Sequence, residues 1–367
     1  MYWGELSKYR NQIYGISILW IVIYHVYEAF FDKLNFNWLS SLIFNSGNIG
    51  VDIFLFLSGI SMHYSMKRYE NLCFSNILDF YKRRFGKILK VYLIFCVPFL
   101  ILRDVIFGHN IDRFIKQVLF FDNDVSSFWF LMAIMICYLI YPLLEKLLRM
   151  HQNKIIIGII VVYIAILFGA KHYYASYFNL YEILLTRIPI FIIGTLFSER
   201  VRNNKKISLK EFSFFIAIIL LKSPFVYAVS RISVISELAP VVARLLMGWM
   251  GIGIIFVMIM FIKVYEHSRV DRVVSKIGTF TLEVYVFHIA LRRVLLYLLP
   301  MVGIDLVAYR QIIPFGLVYV PLSIFGGYIL SLIGLGCQKA YLKAAFYLYL
   351  ENLTRLCLEF IKDSIGE

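Results

Sequence analysis

The stretch QIYGISILWIVIYHVYEAFF, Gln12 to Phe31, decides the fold class. At a helical rise of 1.5 Å per residue it spans about 30 Å, the thickness of a bilayer's hydrocarbon core. It follows Lys8 and Arg10, and no small-residue cleavage site comes after it. It therefore reads as an uncleaved signal anchor with a cytoplasmic N-terminus. Apolar runs of the same kind recur at roughly 48–65, 87–105, 127–146, 154–170, 182–198, 212–229, 241–263, 274–298 and 311–334. Composition agrees: of 367 residues, 61% are hydrophobic, 17% aromatic and only 16% charged, outside the range of soluble globular chains. The expected fold is all-α, a polytopic integral membrane protein of about ten transmembrane helices with both termini cytoplasmic.

The net charge of +14 is not read as a nucleic-acid signal, because the basic residues sit in short clusters between apolar runs. With the N-terminus inside, about 25 of the 37 Lys and Arg fall on the cytoplasmic side, as the positive-inside rule requires. Anionic membrane lipid is the partner such clusters imply. The five cysteines, Cys73, Cys96, Cys137, Cys337 and Cys357, show no CxxC or His/Cys ligand spacing, so neither a disulfide framework nor a metal site is expected. One transmembrane domain over residues 1–336 is expected to be followed by an amphipathic cytoplasmic tail over 337–367. The loop from Asp104 to Ser127, with Asp112, Asp122 and Asp124, reads as an outer-face connector.

An ionisable side chain inside a span is costly unless paired or solvated, which makes each one a functional candidate. His25 lies roughly 20 Å into the first span, and His288 about as deep in the ninth, which runs the same way. Asp52 and Arg187 lie about one and two turns below the outer face, so all four share the outer half. His25 has the chemistry of a general base for a hydroxyl at neutral pH, with Asp52 as the group that orients it. At the inner face, FYKRRFGKILK (Phe80 to Lys90) places Lys82, Arg83, Arg84, Lys87 and Lys90 within about three turns. Those residues suit phosphate groups, and plain positive-inside topology also accounts for them.

These residues carry a resemblance to acyltransferase family 3, integral membrane O-acyltransferases. RNQIYGISILWIVIYH (Arg10 to His25) resembles the family's first span, which ends in a characteristic His. GNIGVDIFLFLSGISM (Gly47 to Met62) is similar to the G-x-x-GVD-x-F-F-x-x-SG segment, and FYKRRFGKILKVY to the basic approach to the third span. SFWFLMAIMICYLIYPLL, RIPIFIIGTLF and IGTFTLEVYVFHIAL follow in family order. There are two departures. Tyr14 stands where the family carries Arg or Lys, with Arg10 one turn lower as its replacement, and the family's R-x-x-R is Arg84-Phe-Gly-Lys87 here.

The resemblance implies transfer of an acyl group, acetyl first of all, from cytoplasmic acyl-CoA to a hydroxyl of an extracytoplasmic carbohydrate such as an envelope glycan. It further implies a bacterial inner membrane and no metal. Arg83, Arg84, Lys87, Arg10 and Tyr14 are then expected to hold the CoA. His25 and Asp52 would be catalytic, and Arg187 and His288 would bind the acceptor or a developing oxyanion. Ser58-Gly59 reads as close helix packing before it reads as a nucleophile. Some members fuse a soluble hydrolase-like domain after the membrane part; here an acyl relay is expected to need a separate envelope-glycan protein. A transporter or flippase of a sugar-linked lipid would instead call for inverted repeats or paired Gly/Pro-broken helices, which the sequence does not display.

Overall fold

In a computed structural model of the chain, the described residues are 1–29, 46–107, 111–118, 128–233, 235–301, 303 and 312–337. The expected tail over 337–367, and Asp122 and Asp124 of the expected outer loop, lie almost wholly outside them. Among the described residues there is no β-strand, only an isolated bridge between Tyr2 and Lys206.

Thirteen helices are used below: α1 (Arg10–Ala29), α2 (Ile49–Met66), α3 (Phe74–Val91), α4 (Val97–Phe107), α5 (Trp129–Arg149), α6 (Asn153–Tyr173), α7 (Ala175–Leu185), α8 (Ile188–Arg202), α9 (Leu209–Ser230), α10 (Ala239–Val264), α11 (Arg269–Ile277), α12 (Thr281–Met301) and α13 (Ile312–Cys337). Among the described residues, each of the ten apolar runs lies mostly on helix. Eight stretches are long and apolar enough to cross a membrane: Ser46–Met66, Phe74–Val105, Trp129–Arg149, Asn153–Tyr173, Ala175–Arg202, Leu209–Ser230, Ser236–Val264 and Phe315–Gly336. The other two runs fall mainly on α1 and α12, long helices that are not among these eight.

Three stretches are interrupted where unbroken helices were expected, and one of them, 274–298, breaks at the turn Gly278–Phe280 between α11 and α12. Between α3 and α4 the residues Tyr92–Cys96 widen into a π-helix. Pro98 follows two residues on, and its missing N–H cannot close an α-helical bond to the turn before it. The run expected over 182–198 breaks at Thr186 and Arg187, and α8 restarts with Pro189 in its first turn, where a missing donor costs nothing.

α1 and α2 run antiparallel in close contact, and glycines set their register. A Cβ at Gly47 would fall 2.3 Å from Tyr24 Cβ, and one at Gly50 2.8 Å from the Ser17 carbonyl oxygen. α2 and α8 meet as closely: a Cβ at Gly59 would lie 2.2 Å from the Phe191 oxygen, and one at Gly194 2.2 Å from the Phe56 oxygen. Gly59 is thus a close-packing position within α2, as expected, while Ser58 beside it lines a cavity. Around these contacts sits the core, with Ile13, Ile18, Ile53, Leu55 and Phe191 buried. α6 and α9, by contrast, keep most of their surface exposed.

A second set of polar contacts ties the ends together. Glu145 of α5 accepts from Tyr141 at 2.7 Å and Arg149 at 2.9 Å and lies 3.1 Å from His63 Nδ1 of α2. Arg149 also donates to the carbonyls of Met66 and Tyr69, satisfying the C-terminal end of α2. Outside the spans, Lys8 pairs with Glu266 at 2.8 Å and pins the N-terminal segment to the turn after α10. The Lys8 hydrogen bond holds the Glu266 carboxyl below the usual carboxylate range.

Candidate active site

α1 joins two chemically different ends of the bundle: a basic end at Arg10 and a histidine end at His25. The fifteen-residue separation is about 22 Å at helical rise.

At the histidine end, His25 and Glu28 stand one turn apart on the same face of α1. His25 Nδ1 lies 2.8 Å from Glu28 Oε2. An ionised carboxylate only accepts, so Nδ1 donates and Nε2 keeps the lone pair that a base needs. The Arg292 guanidinium of α12 reaches the same Glu28 oxygen at 3.1 Å. The ring of His288, one turn before Arg292, has its centroid 5.2 Å from that of His25. His288 is fully buried, and the Tyr319 hydroxyl donates to its carbonyl at 3.0 Å. Its Nδ1 lies 2.9 Å from the Val284 carbonyl oxygen, which can only accept. The His288 tautomer is therefore set, and Nε2 is an acceptor with no partner among the described residues. Held this way, His288 has no proton for an oxyanion, one of its two expected roles. It suits the other, accepting a hydrogen bond from an acceptor hydroxyl.

Asp52 is not the carboxylate beside His25. Its Oδ1 lies 3.3 Å from Arg187 Nε, and both side chains are buried. The glycine register explains this: Gly47 opposite Trp20 and Tyr24, and Gly50 opposite Ser17 and Ile21, set Asp52 about level with Ser17. Ser17 is eight residues below His25, roughly 12 Å. Arg187, at the break before α8, also donates to the Ile183 carbonyl at 3.1 Å and the Asn48 carbonyl at 3.4 Å. Its guanidinium lies over the Trp129 ring, 4.8 Å from the centroid. The Asp52–Arg187 pair ties α2, α5 and the α7–α8 break together, an arrangement whose evident work is structural.

Two cavities meet at the basic end. One, of about 340 Å³, is lined by Arg10, Tyr14, Ser58, Arg84 and Tyr138 among others. The other, of about 1,100 Å³, opens between α3, the α11–α12 junction and α13, where Arg83, Lys87, Lys90, Lys276 and Glu283 contribute. Ser65, Arg68 and Arg84 line both. Together the linings hold eight Lys and Arg side chains against one carboxylate, Glu283. Arg10 and Tyr14 face the same space, the guanidinium 5.9 Å from the ring centroid, so Arg10 stands where it can make up the charge that Tyr14 lacks. Arg84 donates to Ser65, whereas Arg83 is exposed and paired at 2.9 Å with Asp79, a solvent-screened surface contact. Planar guanidinium forks beside lysine point charges suit a ligand with several phosphates.

Sequence reasoning passes over Glu28, Arg292 and Arg68. Spacing could have found the first two, since Glu28 is three residues after His25 and Arg292 four after His288. Arg68 lies outside the basic run, and only the fold returns it to Arg84.

The family model of the acyltransferase domain, that of acyltransferase family 3, matches residues 11–332. No curated protein and no solved structure matches the chain. The match takes in α1 beyond Arg10, most of the lining of the basic cavities and the paired histidines; the chain belongs to acyltransferase family 3 and is an integral membrane acyltransferase.

Proposed function

We propose that the protein moves an acyl group, acetyl above all, from cytoplasmic acyl-CoA to a hydroxyl of an extracytoplasmic carbohydrate, as part of building a glycan of the bacterial envelope. The membrane would be the bacterial inner membrane, with the basic end in the cytoplasm. One observation carries the reading: a cation-rich cavity and a histidine–carboxylate pair occupy opposite ends of a single helix, α1.

In this reading Arg84, Arg68, Lys87 and Arg10 hold the CoA phosphates, with Tyr14 and Arg83 at the margins of the same cavities. Glu28 takes the orienting role first given to Asp52, and keeps the His25 Nδ1–H in place. His25 Nε2 then removes the proton from the acceptor hydroxyl as that oxygen attacks the thioester carbonyl. The carbon–sulfur bond breaks, and His25 returns the proton to the departing sulfur. Ester and free thiol are the products, and the base ends as it began. His288 Nε2 accepts from a hydroxyl of the sugar and helps to fix its approach. Arg187 acts at a distance, by holding α2 and α8 in register.

The test is label transfer from radiolabelled acetyl-CoA to crude cell-surface glycan by protein in nanodiscs. Wild type should label the glycan and His25→Ala should not, with both variants eluting as folded protein. Equal labelling by the two would remove His25 from the chemistry, and no transfer by wild type from any acyl-CoA would end the donor assignment.

A further inference from the structure

An acyl thioester anchored at the basic cavity has to reach His25, eleven residues above Tyr14 on α1, or about 16 Å at helical rise. The side chains between these points form a file of rings drawn from four helices. Tyr14 meets Phe54 of α2 with centroids 5.3 Å apart, and Phe54 meets Phe130 of α5 at 6.1 Å. Phe130 meets Tyr285 of α12 at 5.2 Å, Tyr285 meets His288 at 5.6 Å, and His288 meets His25 at 5.2 Å. The first ring lines the smaller cavity and the last is the candidate base. The second and third rings, Phe54 and Phe130, are buried and carry no polar group.

This placement suggests more than packing. Flat rings in tilted and edge contact, at 46° between Phe54 and Phe130 and 63° between Phe130 and Tyr285, part by side-chain rotation without moving backbone. Interlocked β-branched side chains, stiff at their first torsion, offer no such slot. An apolar slot also excludes water from a thioester, which would otherwise be hydrolysed. What passes between two buried phenyl rings is limited by size.

Resting on the acyl-CoA reading above, we infer that Phe54 and Phe130 are specificity-determining residues, a double-ring gate between the CoA cavity and the histidine end that admits a short acyl group and rejects a longer one. Neither residue touches the reacting atoms, so their removal alters which acyl group is transferred rather than the chemistry at His25.

The experiment compares kcat/KM for acetyl-, butyryl- and hexanoyl-CoA in wild type, Phe130→Ala and Phe54→Ala in nanodiscs. A misfit of one or two methylenes in an apolar slot is worth roughly 10- to 100-fold, so the hexanoyl-to-acetyl ratio should rise by about that factor in each variant. Phe130→Leu and Phe54→Leu, closer to phenylalanine in volume, keep the test valid if the alanine variants do not fold, and should shift the ratio in the same direction by less. Phe215→Leu, in a separate ring cluster with Trp3 and Phe256, is the control and should leave the ratio at the wild-type value. An unchanged ratio in folded, acetyl-transferring Phe130 and Phe54 variants would overturn the gate while leaving the acyl-CoA reading intact. A wild type that transfers from no acyl-CoA would overturn both.

Discussion

Replacing Glu28 by Gln tests whether that residue, and not Asp52, governs His25. The side chain keeps its size and its reach to the imidazole, but loses the charge that fixes Nδ1 as the donor. An amide can turn its NH2 toward Nδ1 instead, and the imidazole then carries its proton on Nε2, where it is no longer a base. A hydrogen bond to a charged group contributes about 1.5 to 3 kcal/mol, or roughly 10- to 160-fold in rate. Glu28 is 41% exposed and shares its oxygen with Arg292, both of which weaken its hold on the ring. The expectation is therefore the lower part of that range, about 10- to 30-fold off kcat with KM for acyl-CoA unchanged, since the donor binds at the other end of α1. Steady-state transfer by nanodisc-reconstituted protein measures both constants. Arg292→Gln should cost less than Glu28→Gln, and the double variant little more than Glu28→Gln alone, because both act through one imidazole. A Glu28→Gln enzyme within twofold of wild type, beside an inactive His25→Ala, would refute the orienting role.

Three further outcomes follow from the same geometry. Arg84→Lys keeps the charge but loses the planar fork, so KM for acyl-CoA should rise about 10-fold at nearly constant kcat, and an unchanged KM would take Arg84 out of the phosphate site. Arg187→Met leaves the Asp52 carboxylate buried without its partner and should cost about 3 to 5 kcal/mol, read as a lower Tm in detergent. Adding Asp52→Asn should recover much of that loss, and equal Tm values for single and double variants would refute the pairing. Because Lys8 depresses the Glu266 carboxyl, the contact stabilises the fold at neutral pH and is lost as pH falls through that lowered value. The Tm gap between wild type and Glu266→Gln should accordingly narrow below about pH 4 and stay constant from pH 6 to 8.

The apolar runs and the family motifs are legible because a bilayer allows few solutions: backbone polar groups must close within a helix, so length and apolarity mark each span. The π-turn before Pro98 and the break before Pro189 are harder to read. Hydropathy continues through them, and only the prolines mark where the hydrogen-bond ladder fails. Asp52 draws attention as a partner for His25 because depth counted from each helix end leaves out the register between helices. That register is set by Gly47 and Gly50, whose close contacts put the carboxylate some two turns too deep. Glu28 needs no tertiary information, since i and i+3 on a helix always meet. It is obscured by its position near the end of a run, where a charge looks like the limit of the span.

The two long helices that are not among the eight membrane-crossing stretches, α1 and α12, are the ones that carry His25, Glu28, His288 and Arg292. Residues 153–173 of α6 and 281–301 of α12 each contain eleven Ile, Leu, Val and Phe. On insertion scales those contribute about 3 to 7 kcal/mol toward crossing the bilayer. α6 keeps its lysines near its ends, whereas Arg292 and Arg293 stand in the middle of α12, where two arginines cost about 5 to 7 kcal/mol. Alone, α12 is close to balance or below it; in the bundle, Glu28 neutralises Arg292 and α13 covers His288 through Tyr319. Grafted separately into a host protein and scored by glycosylation on the far side, residues 153–173 should insert almost fully and 281–301 in half of chains or fewer. Changing Arg292 and Arg293 to Leu should raise the second to the level of the first. Equal insertion of the unmodified segments would show that the site imposes no cost on its own helix. The expected difference would show instead that the site helices depend on their neighbours to stay in the membrane.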